Sequence, residues 1–241
     1  MIGCIIQARL GSSRLPKKIL KFLDNDTTVI KFLINQIKYS KKLEKIVIAT
    51  TNNEIDKPLI KYLKKIDVEV FVGDENNVLD RFYRCSKKFS FSTIVRITAD
   101  NPFSDPRLID KMIDDFKRKN IDFLTNASPR TFPYGTEVEI FNIEALEKIW
   151  KSTKDKVEQE HVTLNFLKNP KKFKIDSMIN KTNQSFLRWT LDEKNDLKLI
   201  KIIYSLIEKR PIYFEDIIKI YTKNPEIFKI NSNVKHKNLR Y

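Results

Sequence analysis

The sequence predicts an α/β fold built on one mostly parallel sheet with helices on both faces. Three observations carry the prediction. Short apolar runs alternate with segments of helical period from residue 2 to residue 124. The chain has 241 residues with 41% hydrophobic content, which suits one large domain with a sizeable core and argues against disorder. No segment reaches the roughly 18 consecutive apolar residues of a membrane span.

Taken in order, residues 2–7 form an apolar run closed by a turn signal, the pattern of a buried strand. Val29, Phe32, Leu33, Gln36 and Ile37 fall at helical spacing, and Thr27-Thr28 offers an N-cap just ahead of them. Residues 45–50 read as the second strand. The unit then repeats as helix 54–64, strand 68–72, helix 78–88, strand 93–98, helix 106–118 and strand 121–124. In such a sheet the ligand sits at the carboxyl ends of the strands, here the loops 8–16, 51–53, 73–77 and 99–105.

After residue 125 the rhythm changes. A loop over 126–135, a strand of alternating character over 137–141, a helix to about Ser152 and another near 158–167 read as a lid-like insertion. It covers about 126–185 within a single domain of 1–241. Strands near 173–178 and 185–189 lead to helices 196–209 and 213–222, with Pro211 as the stop signal between them. The tail from Asn231 is polar and expected to be loosely held.

The net charge of +15 comes mainly from lysine, and it is uneven: residues 1–50 carry ten basic and three acidic side chains, residues 101–150 seven and nine. A basic first fifth suits a polyanionic small ligand, whereas Lys61, Lys64, Lys65, Lys198 and Lys201 read as solvated helix surface. The clustered arginines and exposed aromatics of a nucleic-acid binder are missing, so neither nucleic acid nor membrane is expected as a partner. Cys4 and Cys85 are too few for a disulfide framework, and His161 and His236 cannot make a multi-histidine metal site. A reducing cytoplasm fits this usage.

Four motifs carry chemistry. Directly after the first strand, Ala8, Gly11, Ser12 and Ser13 let backbone N–H groups approach phosphate oxygens, while Arg9, Arg14 and Lys18 bring charges to pair with them. The loop is neither GxxxxGK[ST] nor GxGxxG, and a basic surface loop would have the same composition. Asp100 ends a predicted parallel strand and faces that loop, a position suited to a divalent ion on a nucleotide phosphate. Asp105 reads as a turn or capping residue instead. In the run 188–197, Asp192 follows a predicted strand and Asp196 stands where an N-cap belongs, so Asp192 is assigned to metal and Asp196 to the cap. Glu137 and Glu139, two apart on a predicted strand, share a face and can hold hydroxyls or amines of an acceptor, although a solvated face fits as well.

Together these segments resemble the cytidylyltransferases that activate acidic sugars, the CMP-Kdo and CMP-nonulosonate synthetases, and most closely the branch of spore coat polysaccharide biosynthesis protein F. The resemblance rests on IIQARLGSSRLPKK at 5–18, then on 73–81, 96–102, 132–139, 160–163 and 188–197 in order, and so covers nearly the whole chain. It implies a Rossmann-like fold of the nucleotide-diphospho-sugar transferase type, Mg2+, and transfer of CMP from CTP to an acidic sugar or sugar-phosphate-like acceptor with release of pyrophosphate. By the same resemblance Arg14 and Lys18 hold the triphosphate, Gly73, Asp80 and Arg81 lie by the nucleotide, and Asp100 with Asp192 bind the metal. Tyr134, Gly135, Glu137, Glu139, Glu160, His161 and Arg188 are the expected acceptor set. Two departures stand out: the family usually has glycine where this chain has Lys17, and commonly Gly-Leu-Asp where it has Gly135-Thr136-Glu137. The expected partners are CTP and a small sugar-like acceptor, with a homodimer left open. Two other readings stay open: a sugar-1-phosphate pyrophosphorylase using UTP or GTP, and a non-catalytic basic module for RNA or another polyanion.

Overall fold

The computed structural model describes residues 1–234. Four βα units open the chain: β1 (Ile2–Gln7) with α1 (Val29–Ile37), β2 (Lys45–Thr51) with α2 (Lys57–Lys65), β3 (Val70–Gly73) with α3 (Val78–Lys88), and β4 (Thr93–Thr98) with α4 (Pro106–Lys119). Their strands are parallel and lie in the order β3-β2-β1-β4. Local chemistry fixes several boundaries. Thr28 accepts from the Lys31 amide, Asn77 from Asp80 and Asp105 from Arg107 and Leu108, each capping the helix that follows.

The alternation along each strand sorts the core into two layers. Cys4, Ile6, Val95 and Ile97 pack against α1, α2 and α4, while Ile5, Val47 and Ile94 pack against α3 and its neighbours. Each such fully buried side chain contributes about 1.5–3 kcal/mol.

The second half holds β5 (Phe123–Thr125), β6 (Glu139–Asn142), α5 (Ile143–Ser152), α6 (Lys156–Glu160), α7 (Leu164–Lys168), β7 (Ile175–Ser177), α8 (Lys194–Leu206) and α9 (Phe214–Lys223). β6 enters between β4 and β5, antiparallel to both, and β7 extends the edge parallel to β5. The stretch 126–185 thus supplies two strands to the sheet itself. The helix expected near 158–167 is broken at His161, because α6 buries nothing whereas Val162 and Phe166 are carried fully into the core. The expected strand at 185–189 is a single bridge between Arg188 and Tyr134.

A third apolar cluster joins Val29 and Phe32 of α1 to Trp189, Leu191, α8 and α9. It seats the segment before α8 against the end of β4, where the Leu191 amide donates to the Asp100 carbonyl at 2.8 Å. Asn231, expected to open a loose tail, is buried; the rest of that tail, from Lys235 on, lies outside the described residues. Among the described residues no helix is long and apolar enough to cross a membrane.

The strand order reverses between β1 and β4: β2 and β3 continue on one side of β1, and β4 lies on the other. The loops leaving these two strands therefore diverge and open a crevice at their carboxyl ends.

Candidate active site

The loop after β1 is pinned from beneath. The Leu10 amide donates to Asp56 Oδ1 at 2.6 Å, Thr51 Oγ1 donates to the other oxygen of Asp56, and the Leu10 carbonyl accepts from Ser12 at 2.8 Å. Leu10 and Leu15 are buried, while Arg9, Gly11, Ser12, Ser13, Arg14 and Lys18, with Ile19 beneath them, line a cavity of about 270 Å³. Ala8 is buried below the loop. Lys17 has φ 53° and ψ 31°, a left-handed conformation, which accounts physically for the glycine usual at this position in the family it resembles.

Asp100 and Asp192 form the opposite wall and face one another across Lys18. Lys18 Nζ donates to Asp100 Oδ2 at 2.7 Å and to Asp192 Oδ1 at 2.9 Å. Asp192 is also paired with Arg14 at 3.0 Å and with Arg188 at 2.8 Å. Burial alone would push the Asp192 carboxyl up, but Lys18, Arg188 and Arg14 outweigh it and hold the group at about 2. Burial would likewise lower Lys18, and the two carboxylates more than reverse that, so it remains an ammonium.

Among the described residues no group of three or more His, Cys, Asp or Glu side chains converges as a metal site. The Asp100–Asp192 pair is nevertheless a hard-oxygen donor set already bridged by one cationic nitrogen. A cation of the Mg2+ kind fits such a pair, because it is bound through one or two carboxylates plus water and phosphate oxygens.

A second cavity, of about 340 Å³, shares Arg14, Thr98, Asp100 and Asp192 with the first. Beyond that common wall it is lined by Arg96, Arg130, Tyr134, Glu137, Glu139, His161, Thr163 and Arg188 among others. Its glutamates are already engaged. Glu139, the first residue of β6, accepts from Arg96 and from Thr163 Oγ1 at 2.9 Å. Glu137 precedes the strand and accepts from Arg130 at 2.5 Å, Asn101 Nδ2 at 2.9 Å and the Gly135 amide at 2.9 Å. Arg130 also lies over the Tyr134 ring at 3.9 Å. Burial pushes His161 below its ordinary range, with Arg96 adding to that and Glu160 opposing it.

Not every expected residue joins the two cavities. Gly73 makes room for Arg81, whose Cγ would lie 2.9 Å from a Cβ placed there. Arg81 is buried beside the loop and donates to the Asp74 carbonyl at 3.0 Å; burial, then the neighbouring Arg9, lower it to about 10. Asp80 turns away, bound to Arg84 and to Trp150 Nε1 at 2.8 Å. Glu160 is exposed at the end of α6. Gly135 contributes backbone: at φ 103°, its Cβ position is 2.6 Å from the Thr190 amide nitrogen, so only glycine allows this close approach. Asp196, assigned as an N-cap, lies at the third position of α8 and accepts from the Asp192 and Glu193 amides, both at 2.9 Å. Sequence reasoning passed over Arg96, Arg130, Asn101 and Thr163; an arginine in the middle of an apolar strand was the available signal for Arg96.

A crevice at the strand-order reversal, a basic loop on one wall and two carboxylates on the other define a nucleotide-handling α/β enzyme. The cytidylyltransferase profile matches residues 3–235, and the chain belongs to that family, as a nucleotidyltransferase. It is 38% identical to an uncharacterised protein of Methanocaldococcus jannaschii, over 98% of this chain and 96% of that protein. It is 33% identical to spore coat polysaccharide biosynthesis protein SpsF of Bacillus subtilis, over 92% of this chain and 94% of that one. The solved structure of a cytidylyltransferase from Leptospira borgpetersenii serovar Hardjo-bovis superposes with a TM-score of 0.92 at 35% identity, covering 98% and 99% of the two chains.

Proposed function

We propose that the protein transfers CMP from CTP to an acidic sugar or sugar-phosphate-like acceptor, releasing pyrophosphate, in the synthesis of surface polysaccharide or glycan. The observation that carries this reading is the wall common to both cavities: Asp100 and Asp192 stand between a basic loop and a second, polar chamber. The triphosphate belongs against Arg9, Ser12, Ser13, Arg14 and Lys18, and the acceptor in the chamber of Arg96, Arg130, Tyr134 and His161. The similarity to SpsF supports the pathway class.

An acceptor oxygen attacks the α-phosphorus as the bond to pyrophosphate breaks, and no covalent enzyme intermediate is needed. Arg14 and Lys18 pair with oxygens that become more negative as pyrophosphate departs. Magnesium, held by Asp100 and Asp192, would supply charge neutralisation at the phosphates. Without a nucleophile and base pair in the site, positioning and electrostatics provide the rate.

The test is a pyrophosphate-release screen of the four nucleoside triphosphates against acidic sugars and sugar phosphates with magnesium. Release with CTP and an acidic sugar or sugar phosphate is expected. Release only with UTP or GTP and a sugar 1-phosphate would move the protein to the pyrophosphorylases of the same fold.

A further inference from the structure

Behind Asp192 lies a buried polar chain that the reaction as described does not use. Asp196 is fully buried, Asn231 is 3% exposed and Arg188 6%. Arg188 Nε donates to Asp196 Oδ1 at 2.9 Å and its Nη2 to Asp196 Oδ2 at 3.0 Å. The same Nη2 donates to Asp192 Oδ2 at 2.8 Å. Asn231 Nδ2 donates to Asp196 Oδ1 at 2.8 Å and to the Arg188 carbonyl at 3.2 Å. Asp196 Oδ2 also accepts from the backbone amide of Asp192.

One carboxylate therefore fixes Asp192 twice, through its backbone and, by way of Arg188, through its side chain. The consequence lies in which oxygen faces Asp100. Oδ2 of Asp192 is taken by Arg188, and Oδ1, which also pairs with Arg14 at 3.0 Å, is the oxygen that shares Lys18 with Asp100. A buried ion pair is by itself weak evidence for stability, since desolvation consumes most of its attraction. Geometry that orients a ligand carboxylate gives this one a different use, because groups bonded behind a metal ligand set its orientation and basicity.

We propose that Arg188, Asp196 and Asn231 form a positioning relay that holds Asp192 so that it offers a single oxygen, Oδ1, toward Asp100. Arg188, expected from the sequence to touch the acceptor, is in this assignment a positioning residue. The relay also ties the site to Asn231, 35 residues beyond Asp196 in the chain. The proposal rests on the reading that Asp100 and Asp192 hold the divalent cation.

The experiment is Mn2+ binding followed by electron paramagnetic resonance on the full chain with CTP present, at a temperature where circular dichroism shows each variant folded. Arg188→Lys keeps the charge but loses the fork that spans both carboxylates, and Asn231→Ala removes the amide that donates to Asp196 and to the Arg188 carbonyl. Losses at the second layer of a metal site run to roughly 10–100-fold. Arg188→Lys is expected in that range and Asn231→Ala near its lower end, in Mn2+ affinity and in the magnesium concentration needed for half-maximal turnover. Should Arg188→Lys not fold, Asn231→Ala carries the test. Folded variants that bind Mn2+ within twofold of the parent would overturn the relay. Asp192→Asn serves as the reference: parental Mn2+ affinity in that variant would overturn the cation reading itself, a result distinguishable from failure of the relay alone.

Discussion

The Lys18 ammonium lies 2.7 Å from Oδ2 of Asp100 and joins it to Asp192, so a protein cation occupies the point where the two carboxylates meet. Converging carboxylates repel unless a positive charge separates them. For a divalent cation to take that point, Nζ must move to another anion, which in the function proposed above is the triphosphate. Lys18→Met should therefore bind Mn2+ more tightly than the parent when CTP is absent, by several-fold, while turnover falls on the order of 100-fold. Titration without nucleotide and a pyrophosphate assay check the two halves. Unchanged Mn2+ affinity in Lys18→Met would show that Lys18 does not compete for the site.

Asp192 predicts an acid-side stability loss. Its folded carboxyl is held at about 2, below the ordinary value of 3.8, so the stabilisation is complete above the ordinary value and is lost as pH falls toward 2. One unit is worth about 1.36 kcal/mol, which puts this contribution at roughly 2 kcal/mol. Urea unfolding at pH 5 and at pH 2.5 should show Asp192→Asn losing less stability than the parent by about two-thirds of that amount, because the folded carboxyl is still mostly ionised at pH 2.5. Equal losses in the two proteins would mean that Lys18, Arg14 and Arg188 do not stabilise the charged form.

Parts of the fold were legible because their determinants are local. The termini of β1, α1, α3 and β4 follow from an apolar period and from caps two or three residues away, as with Thr28 and Asn77. The insertion of β6 between β4 and β5 depends on partners distant in sequence and leaves no local mark. The run around Trp189 has the alternation of a strand, but its buried Leu187, Trp189 and Leu191 pack into the cluster of α8 and α9 instead of pairing in the sheet. Within the site, the loop of Arg14 and Lys18 and the carboxylate of Asp100 were placed together from the ends of β1 and β4, whereas Asp192 was read from the end of a strand that is a single bridge. Asp196, read as the N-cap, is the third residue of α8 and caps from there, and its further bonds to Arg188 and Asn231 are tertiary and leave no local mark.

Asp196→Asn tests that difference directly. A capping role alone predicts little change, since asparagine caps nearly as well as aspartate. The buried pair with Arg188 predicts much more, because removing one partner of such a pair costs about 3–5 kcal/mol. Thermal or urea unfolding should show a loss in that range. A loss below about 1 kcal/mol would return Asp196 to a simple cap.

Gly135→Ala should injure the second cavity. A Cβ at this φ of 103° meets the Thr190 nitrogen at 2.6 Å and the Trp189 carbonyl carbon at 2.8 Å, both backbone atoms that cannot swing aside. The bridge between Tyr134 and Arg188 has to open to admit it. Strain of this kind costs on the order of 1–3 kcal/mol. We expect lower stability together with a raised KM for the acceptor and a smaller change in KM for CTP, whose loop lies on the other wall. Parental stability and kinetics would show that the two segments separate without penalty.

Lys17→Gly separates the conformation of the phosphate loop from its charge. The left-handed backbone at Lys17 costs a non-glycine residue about 1–2 kcal/mol. Glycine relieves that strain but frees the unfolded chain by about 0.4–1 kcal/mol. The balance favours the variant by about 0–1.6 kcal/mol. Lys17→Val, branched at Cβ, should instead destabilise the turn and weaken CTP binding, because Lys18 is the next residue and depends on this backbone to reach Asp100 and Asp192. Unfolding and CTP calorimetry on both variants check the pair. A Lys17→Gly protein that loses CTP affinity at parental stability would show that the Lys17 charge itself meets the nucleotide, whereas unchanged affinity in Lys17→Gly with a loss in Lys17→Val assigns the position to conformation.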